Sequence, residues 1–139
     1  MGNWQSANGR LPKAAKYYAT EHGWHILPVH GINSSGKCTC GKTHGEAREN
    51  GKHPASMRGQ TEATTDPTQI EQWWTENPDY NIGVFAKPSG FFVIDIDPRG
   101  GGDKSFEKLL EMVGGSLPDT VEATTGTYCI VNKYILSRL

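Results

Sequence analysis

Apolar residues recur at helical spacing over residues 12–21, where Ala14, Ala15, Tyr18 and Ala19 fall to one side and Lys13 and Lys16 elsewhere, with Gly23 placed as a stop. Trp24-His25-Ile26-Leu27-Pro28-Val29 then alternates loosely and ends near a proline, the pattern of a short strand. Residues 31–59 hold few apolar side chains and many Gly, Ser, Lys and His, so they supply no core of their own and something other than packing must order them. Asp66-Pro67 is suited to cap and open a second helix, with Ile70, Trp73 and Trp74 as its apolar face and Asn77-Pro78 as its end. At that spacing one of Trp73 and Trp74 is expected in the core and the other half-buried, rather than both stacking on bases.

Two strands follow, Asn81-Ile82-Gly83-Val84-Phe85 and Gly90-Phe91-Phe92-Val93-Ile94-Asp95-Ile96-Asp97, joined by the turn-like Lys87-Pro88-Ser89 and expected to pair as a hairpin. Asp103 is placed to cap a further helix through Phe106, Leu109, Leu110 and Met112, stopped by Gly114-Gly115. Helices and strands in this order predict an α+β fold, a mixed or antiparallel sheet with flanking helices, in one domain. No internal repeat or low-complexity tract interrupts it.

With 139 residues, 35% hydrophobic and 21% charged, the chain belongs with globular proteins and is long enough for a single core, not for a fused second enzyme. A formal net charge of -1 gives no bulk positive field, so any nucleic-acid binding must be local. No apolar run reaches the roughly 18 to 20 residues of a membrane span, and the first nine residues lack a signal-peptide core, so no membrane partner and a cytoplasmic location are expected.

The chemistry concentrates in two places. In a strand alternate side chains share a face, so Asp95 and Asp97 project together while Ile94 and Ile96 face away. Two carboxylates so placed repel unless a cation lies between them, and their oxygens suit Mg or Mn, the arrangement that supports phosphoryl transfer. The plainer reading is a solvent-edge turn begun by Asp97-Pro98. The second place is the polar loop, where Cys38, Cys40, His44 and His53 supply two thiolates and two imidazoles, the number and kind of ligands in a closed Zn site. The C-x-C spacing is less usual than C-x2-C, exposed thiols in a free loop are the alternative, and His30 can substitute for one ligand; Cys129 lies far away. Arg99-Gly100-Gly101-Gly102-Asp103-Lys104 opens a helix where phosphate can be held, but reads more simply as a turn. Lys52, Arg58, Lys87 and Arg99 are available to a template or triphosphate, though they are equally ordinary surface charges.

Taken in order, Gly23-Trp24 with Pro28, the Cys and His loop ending Gly51-Lys52-His53-Pro54, Ala63-Thr64-Thr65-Asp66, Ile70 with Trp73-Trp74, Asn81-Ile82-Gly83-Val84 and Val93-Ile94-Asp95-Ile96-Asp97 resemble one family, and Gly101-Gly102-Asp103, Pro118-Asp119-Thr120 and Thr125-Gly126 continue the likeness. It is the bifunctional primase-polymerase domain of the archaeo-eukaryotic primase superfamily, of the kind found in phage and plasmid replication. The resemblance implies a partial primase-polymerase domain over residues 12–127, with a zinc-binding loop at 31–59 and an unmatched tail at 128–139. It implies that Asp95 and Asp97 are the first catalytic motif, on Mg or Mn, and that the Cys38–His53 loop is the family's zinc insertion with His44 in place of a cysteine. Single-stranded DNA template and nucleoside triphosphates are the implied partners. The family's later histidine and further acidic ligand have no counterpart after Gly126, which points to a truncated or frameshifted chain, an inactive zinc-binding and DNA-contacting remnant, or a split enzyme whose missing half, or helicase, is a separate chain.

Overall fold

The computed structural model describes residues 9–46, 50–125 and 132–138, with backbone alone for 122–125 and 132–138. Gly126, Cys129 and the start of the unmatched tail lie outside the described residues. The chain divides into two compact units, residues 1–89 and 90–139.

In the first unit, helix α1 (Arg10–His22) leads through Gly23 into strand β1 (His25–Val29). Helix α2 (Pro67–Glu76) starts where Asp66 Oδ1 accepts the Thr68 N–H at 2.9 Å, with Pro67 filling a position that has no N–H to satisfy. Strand β2 (Asn81–Phe85) runs antiparallel to β1, with Leu27 opposite Gly83. Ala15 and Ala19 of α1, Ile26 of β1, and Ile70 and Trp74 of α2 form the buried core; Trp73 is partly buried beside them. Fully burying Ile26 and Ile70 contributes about 1.5–3 kcal/mol each. Trp74 satisfies its one polar atom by donating Nε1–H to the Tyr80 carbonyl at 3.0 Å. Lys16 and Glu71 tie α1 to α2 at 2.8 Å across the surface.

The hairpin expected between residues 81–85 and 90–97 does not form: β2 pairs with β1, and the next strand pairs elsewhere. Alternation identified both strands but carries no information about partners. Two contacts favour β1 for β2: Gly83 lies so close to Val29 and Leu27 that a Cβ would come within 2.6 Å of Val29 Cγ2, and the Ser89 hydroxyl accepts the His25 N–H at 2.8 Å while donating to the Phe85 carbonyl at 2.6 Å. The turn after β2 is thus fastened back to the start of β1.

The second unit is a three-stranded antiparallel sheet in the order β3 (Phe91–Ile96), β5 (Asn132–Arg138), β4 (Val121–Thr125), together with helix α3 (Gly102–Met112). Asp95 stands opposite Tyr134, and Ile96 opposite Lys133. Helix α3 begins two residues earlier than an Asp103 cap requires. Its N-cap is Gly101, whose carbonyl accepts the Ser105 N–H at 3.1 Å, and Asp103 falls in the first turn, where a negative charge suits the helix dipole. Helices on antiparallel sheets make the fold α+β.

Candidate metal centres and the family they belong to

The loop after β1 brings its four expected ligands together. Cys40 Sγ lies 3.2 Å from His44 Nε2, Cys38 Sγ 4.0 Å from His53 Nε2, and one ligand atom from each of the four falls within 4.8 Å of all the others. Ligands of a tetrahedral zinc at ordinary bond lengths stand about 3.3–3.8 Å apart, so a small contraction closes the set. The donor chemistry fits as well: the Gly51 and Lys42 N–H groups point at Cys38 Sγ and Cys40 Sγ at 3.5 and 3.3 Å, solvating negative sulfur. Burial pushes the Cys38 thiol up, but the backbone N–H groups of Cys40 and Gly51 and the side chains of Cys40 and His44 outweigh it and bring the pKa down to about 7. Part of the thiol is thus thiolate at neutral pH, the form that binds metal.

The frame of this loop comes from residues with no ligand role. Gly51 has a φ of 68°, and a Cβ there would meet Ile32 Cγ1 at 2.9 Å, so only glycine presents its N–H to Cys38. Asn81 Nδ2 reaches the carbonyls of His30 and Gly51 at 3.4 and 3.3 Å, tying both ends of the loop to the start of β2. His30, the alternative ligand, lies with its ring tilted 43° to that of His53 at 4.8 Å between centroids, shares a hydrogen bond between its Nδ1 and Thr39 Oγ1 at 3.1 Å, and stays outside the ligand group. Desolvation, then the positive potential of His53, His44 and Lys42, lowers its pKa.

At the second place, Asp95 is exposed and Asp97 half-buried, with Ile96 buried between them, as strand alternation requires. Asp97 begins a tight turn, a single 3-10 turn over Pro98–Gly100. Its carbonyl accepts the N–H groups of Gly100 and Gly102 at 3.2 and 3.0 Å, and the Gly101 N–H goes to the Pro98 carbonyl at 3.1 Å. A Cβ on Gly102 would fall 2.6 Å from that Asp97 carbonyl oxygen, so glycine is needed for α3 to start here. The N–H groups of residues 99–102 are therefore used within the turn, and the phosphate-holding reading of the glycine run gains no support.

Arg99 takes both oxygens of Asp97: Nε and the backbone N–H donate to Oδ1 at 3.0 Å, and Nη2 donates to Oδ2 at 2.9 Å. The Arg99 side chain, then its N–H, hold the Asp97 carboxyl below the usual carboxylate range. Lys52, Arg58 and Lys87 are simply exposed. Among the described residues, no third His, Cys, Asp or Glu groups with Asp95 and Asp97. Thr39, Asn81, Gly51 and Gly102 escaped the sequence reading as site residues; Asn81 and the two glycines left a trace there, inside runs already singled out for other reasons.

The fold is α+β, and the loop after β1 holds a four-residue Cys and His group that could bind a metal ion. The profile of the family described as Bifunctional DNA primase/polymerase, N-terminal (Prim-Pol) matches residues 15–131, most of the chain, and the chain belongs to that family. No curated protein and no solved structure matches it. The family is metal-dependent and acts on DNA and nucleotides, so a DNA primase/polymerase-type function follows. No helix among the described residues is long and apolar enough to cross a membrane.

Proposed function

We propose that this chain carries the first catalytic motif of a template-dependent primase-polymerase of phage or plasmid replication. Asp95 and Asp97 are its ligands for Mg or Mn, and Cys38, Cys40, His44 and His53 hold a structural zinc. The reading is supported by two carboxylates at alternate positions, Asp95 in β3 and Asp97 in the extended residue just after it, inside the stretch matched by the family. A divalent ion bound there would assist the attacking oxygen and the leaving group in nucleotide addition. The chain's own part is to fix the backbone that carries the two carboxylates: Asp95 through its place in a paired strand, Asp97 through the bonds its carbonyl accepts from Gly100 and Gly102. The zinc ligands supply the loop with the order that its sparse apolar content does not.

The test is primer synthesis and extension on a single-stranded template with labelled nucleotides and Mg or Mn, comparing the chain with Asp95→Ala. Incorporation lost in the variant supports the reading. Incorporation that survives in Asp95→Ala removes the carboxylate from the mechanism.

A second reading, a zinc-organised remnant or one half of a split enzyme that contacts DNA without turnover, is favoured by the lack of a third metal-ligand side chain near Asp95 and Asp97 among the described residues. It predicts template binding with no incorporation.

A further inference from the structure

Arg99 occupies the place on Asp97 that a divalent ion would need. The guanidinium engages both carboxylate oxygens, at 3.0 and 2.9 Å, and it also feels the charge of Asp95. The pairing is local and imposed by the backbone. Pro98 fixes the first position of the turn and Gly101, at φ 79°, closes it, so the side chain two residues beyond Asp97 is folded back onto it. None of the bonds that hold the turn through the Asp97 carbonyl depends on the guanidinium. Both partners remain open to water, at 54% and 43% side-chain exposure, so the pair is weak enough for a hydrated divalent ion to displace.

From this geometry we infer that Arg99 is a built-in counter-cation for the carboxylate pair, a positioning residue that presets the Asp97 carboxylate and sets the metal concentration at which the site loads. The inference rests on the reading of Asp95 and Asp97 as metal ligands. Loading exchanges one cation for another: Asp97 gives up the guanidinium fork as its oxygens turn to the metal, and Arg99 is left free beside the site.

The experiment measures Mn binding directly, by the loss of free-ion electron paramagnetic resonance signal, with one equivalent of zinc supplied so that the thiolates are satisfied. Wild type is compared with Arg99→Ala, Arg99→Lys, Lys104→Ala and Asp97→Asn, after each is shown to melt as wild type does. Tighter binding is expected in both Arg99 variants, on the order of two- to fivefold, because lysine keeps the charge but loses the two-pronged grip. Lys104→Ala, which removes a nearby charge and no fork, should bind as wild type does. Equal affinity in wild type and Arg99→Ala, with binding lost in Asp97→Asn, overturns the counter-cation role and leaves the metal reading standing. Tightening in Arg99→Ala but not in Arg99→Lys overturns it in favour of net charge, and weaker binding in Arg99→Ala overturns it by making Arg99 a supporter of the metal. Undiminished binding in Asp97→Asn removes the metal reading and the inference with it.

Discussion

On the proposed reading, the loop at residues 31–59 and the turn that follows β3 both organise polar groups for a cation, and they do it in opposite ways. The loop gathers its ligands from 16 positions of chain, Cys38 to His53, and holds two sulfurs toward backbone N–H groups. The turn fixes the Asp97 backbone through its own carbonyl bonds and supplies the counter-charge to the carboxylate from its own next-but-one residue. The loop therefore depends on an ion to be shaped, whereas the turn is shaped already and must exchange one ion for another. A structural metal suits the first arrangement and a reversibly bound one suits the second.

The sharpest way to break this contrast is to remove the zinc ligands. Cys38→Ser, or treatment with a strong chelator, should lower the melting temperature by on the order of 10 °C or more, since loss of a structural metal costs well over 2 kcal/mol in a unit of this size; calorimetry checks it. An unchanged melt would place the loop with ordinary surface segments. Next in size is Gly102→Ala. Its Cβ would meet the Asp97 carbonyl oxygen at 2.6 Å, so the turn must shift at a cost of roughly 1–3 kcal/mol, and Mn affinity should fall while zinc content, read by atomic absorption, stays the same. A variant that loses both metals equally would dissolve the distinction between the two places. Asp66→Ala lies outside both; losing the α2 cap should cost about 1 kcal/mol in denaturant melts without touching either metal.

The smallest effect is a pH dependence. The Lys16 ammonium, first by its hydrogen bond and then by its charge, holds the Glu71 carboxyl below its ordinary value. A depressed folded-state pKa stabilises the fold above the ordinary glutamate range of about 4.3 and loses that contribution as pH falls through the folded value. Melting temperatures of wild type and Glu71→Gln should therefore differ slightly at pH 7 and converge toward pH 3. The pair lies open to solvent, at 39% and 65% side-chain exposure, so salt should shrink the difference too.

Much of the local structure was legible because local physics decides it. Asp66-Pro67 opens a helix by hydrogen bonding two residues ahead, and Trp73 and Trp74 divide into half-buried and buried by helical spacing alone. The four side chains that could hold a metal were legible by chemical type. Their frame was not, because Asn81 and Gly51 act through contacts 30 and 51 residues apart that leave no periodic mark. The partner of β2 was hidden for the same reason: strand pairing is a choice among alternatives, decided here by how closely Gly83 lets Leu27 and Val29 approach. Arg99 was visible only as a spare positive charge at the head of a glycine run. Its grip on Asp97 depends on the turn between them, and a turn's conformation is not written in the spacing of its residues.

The Asn81 bridge carries a thermodynamic consequence. The metal ligands are close neighbours in sequence, so the open chain offers the same two sulfurs and two imidazoles to zinc, only without an enclosing frame. Binding to the unfolded form subtracts from whatever stability the ion confers, and only the difference between the two affinities reaches the fold. That difference resides in contacts such as those from Asn81 to His30 and Gly51, which exist only when β2 is in place. Zinc affinity and zinc-derived stability are thus separate quantities in this protein, and an amide side chain 28 residues beyond the last ligand helps to set the second.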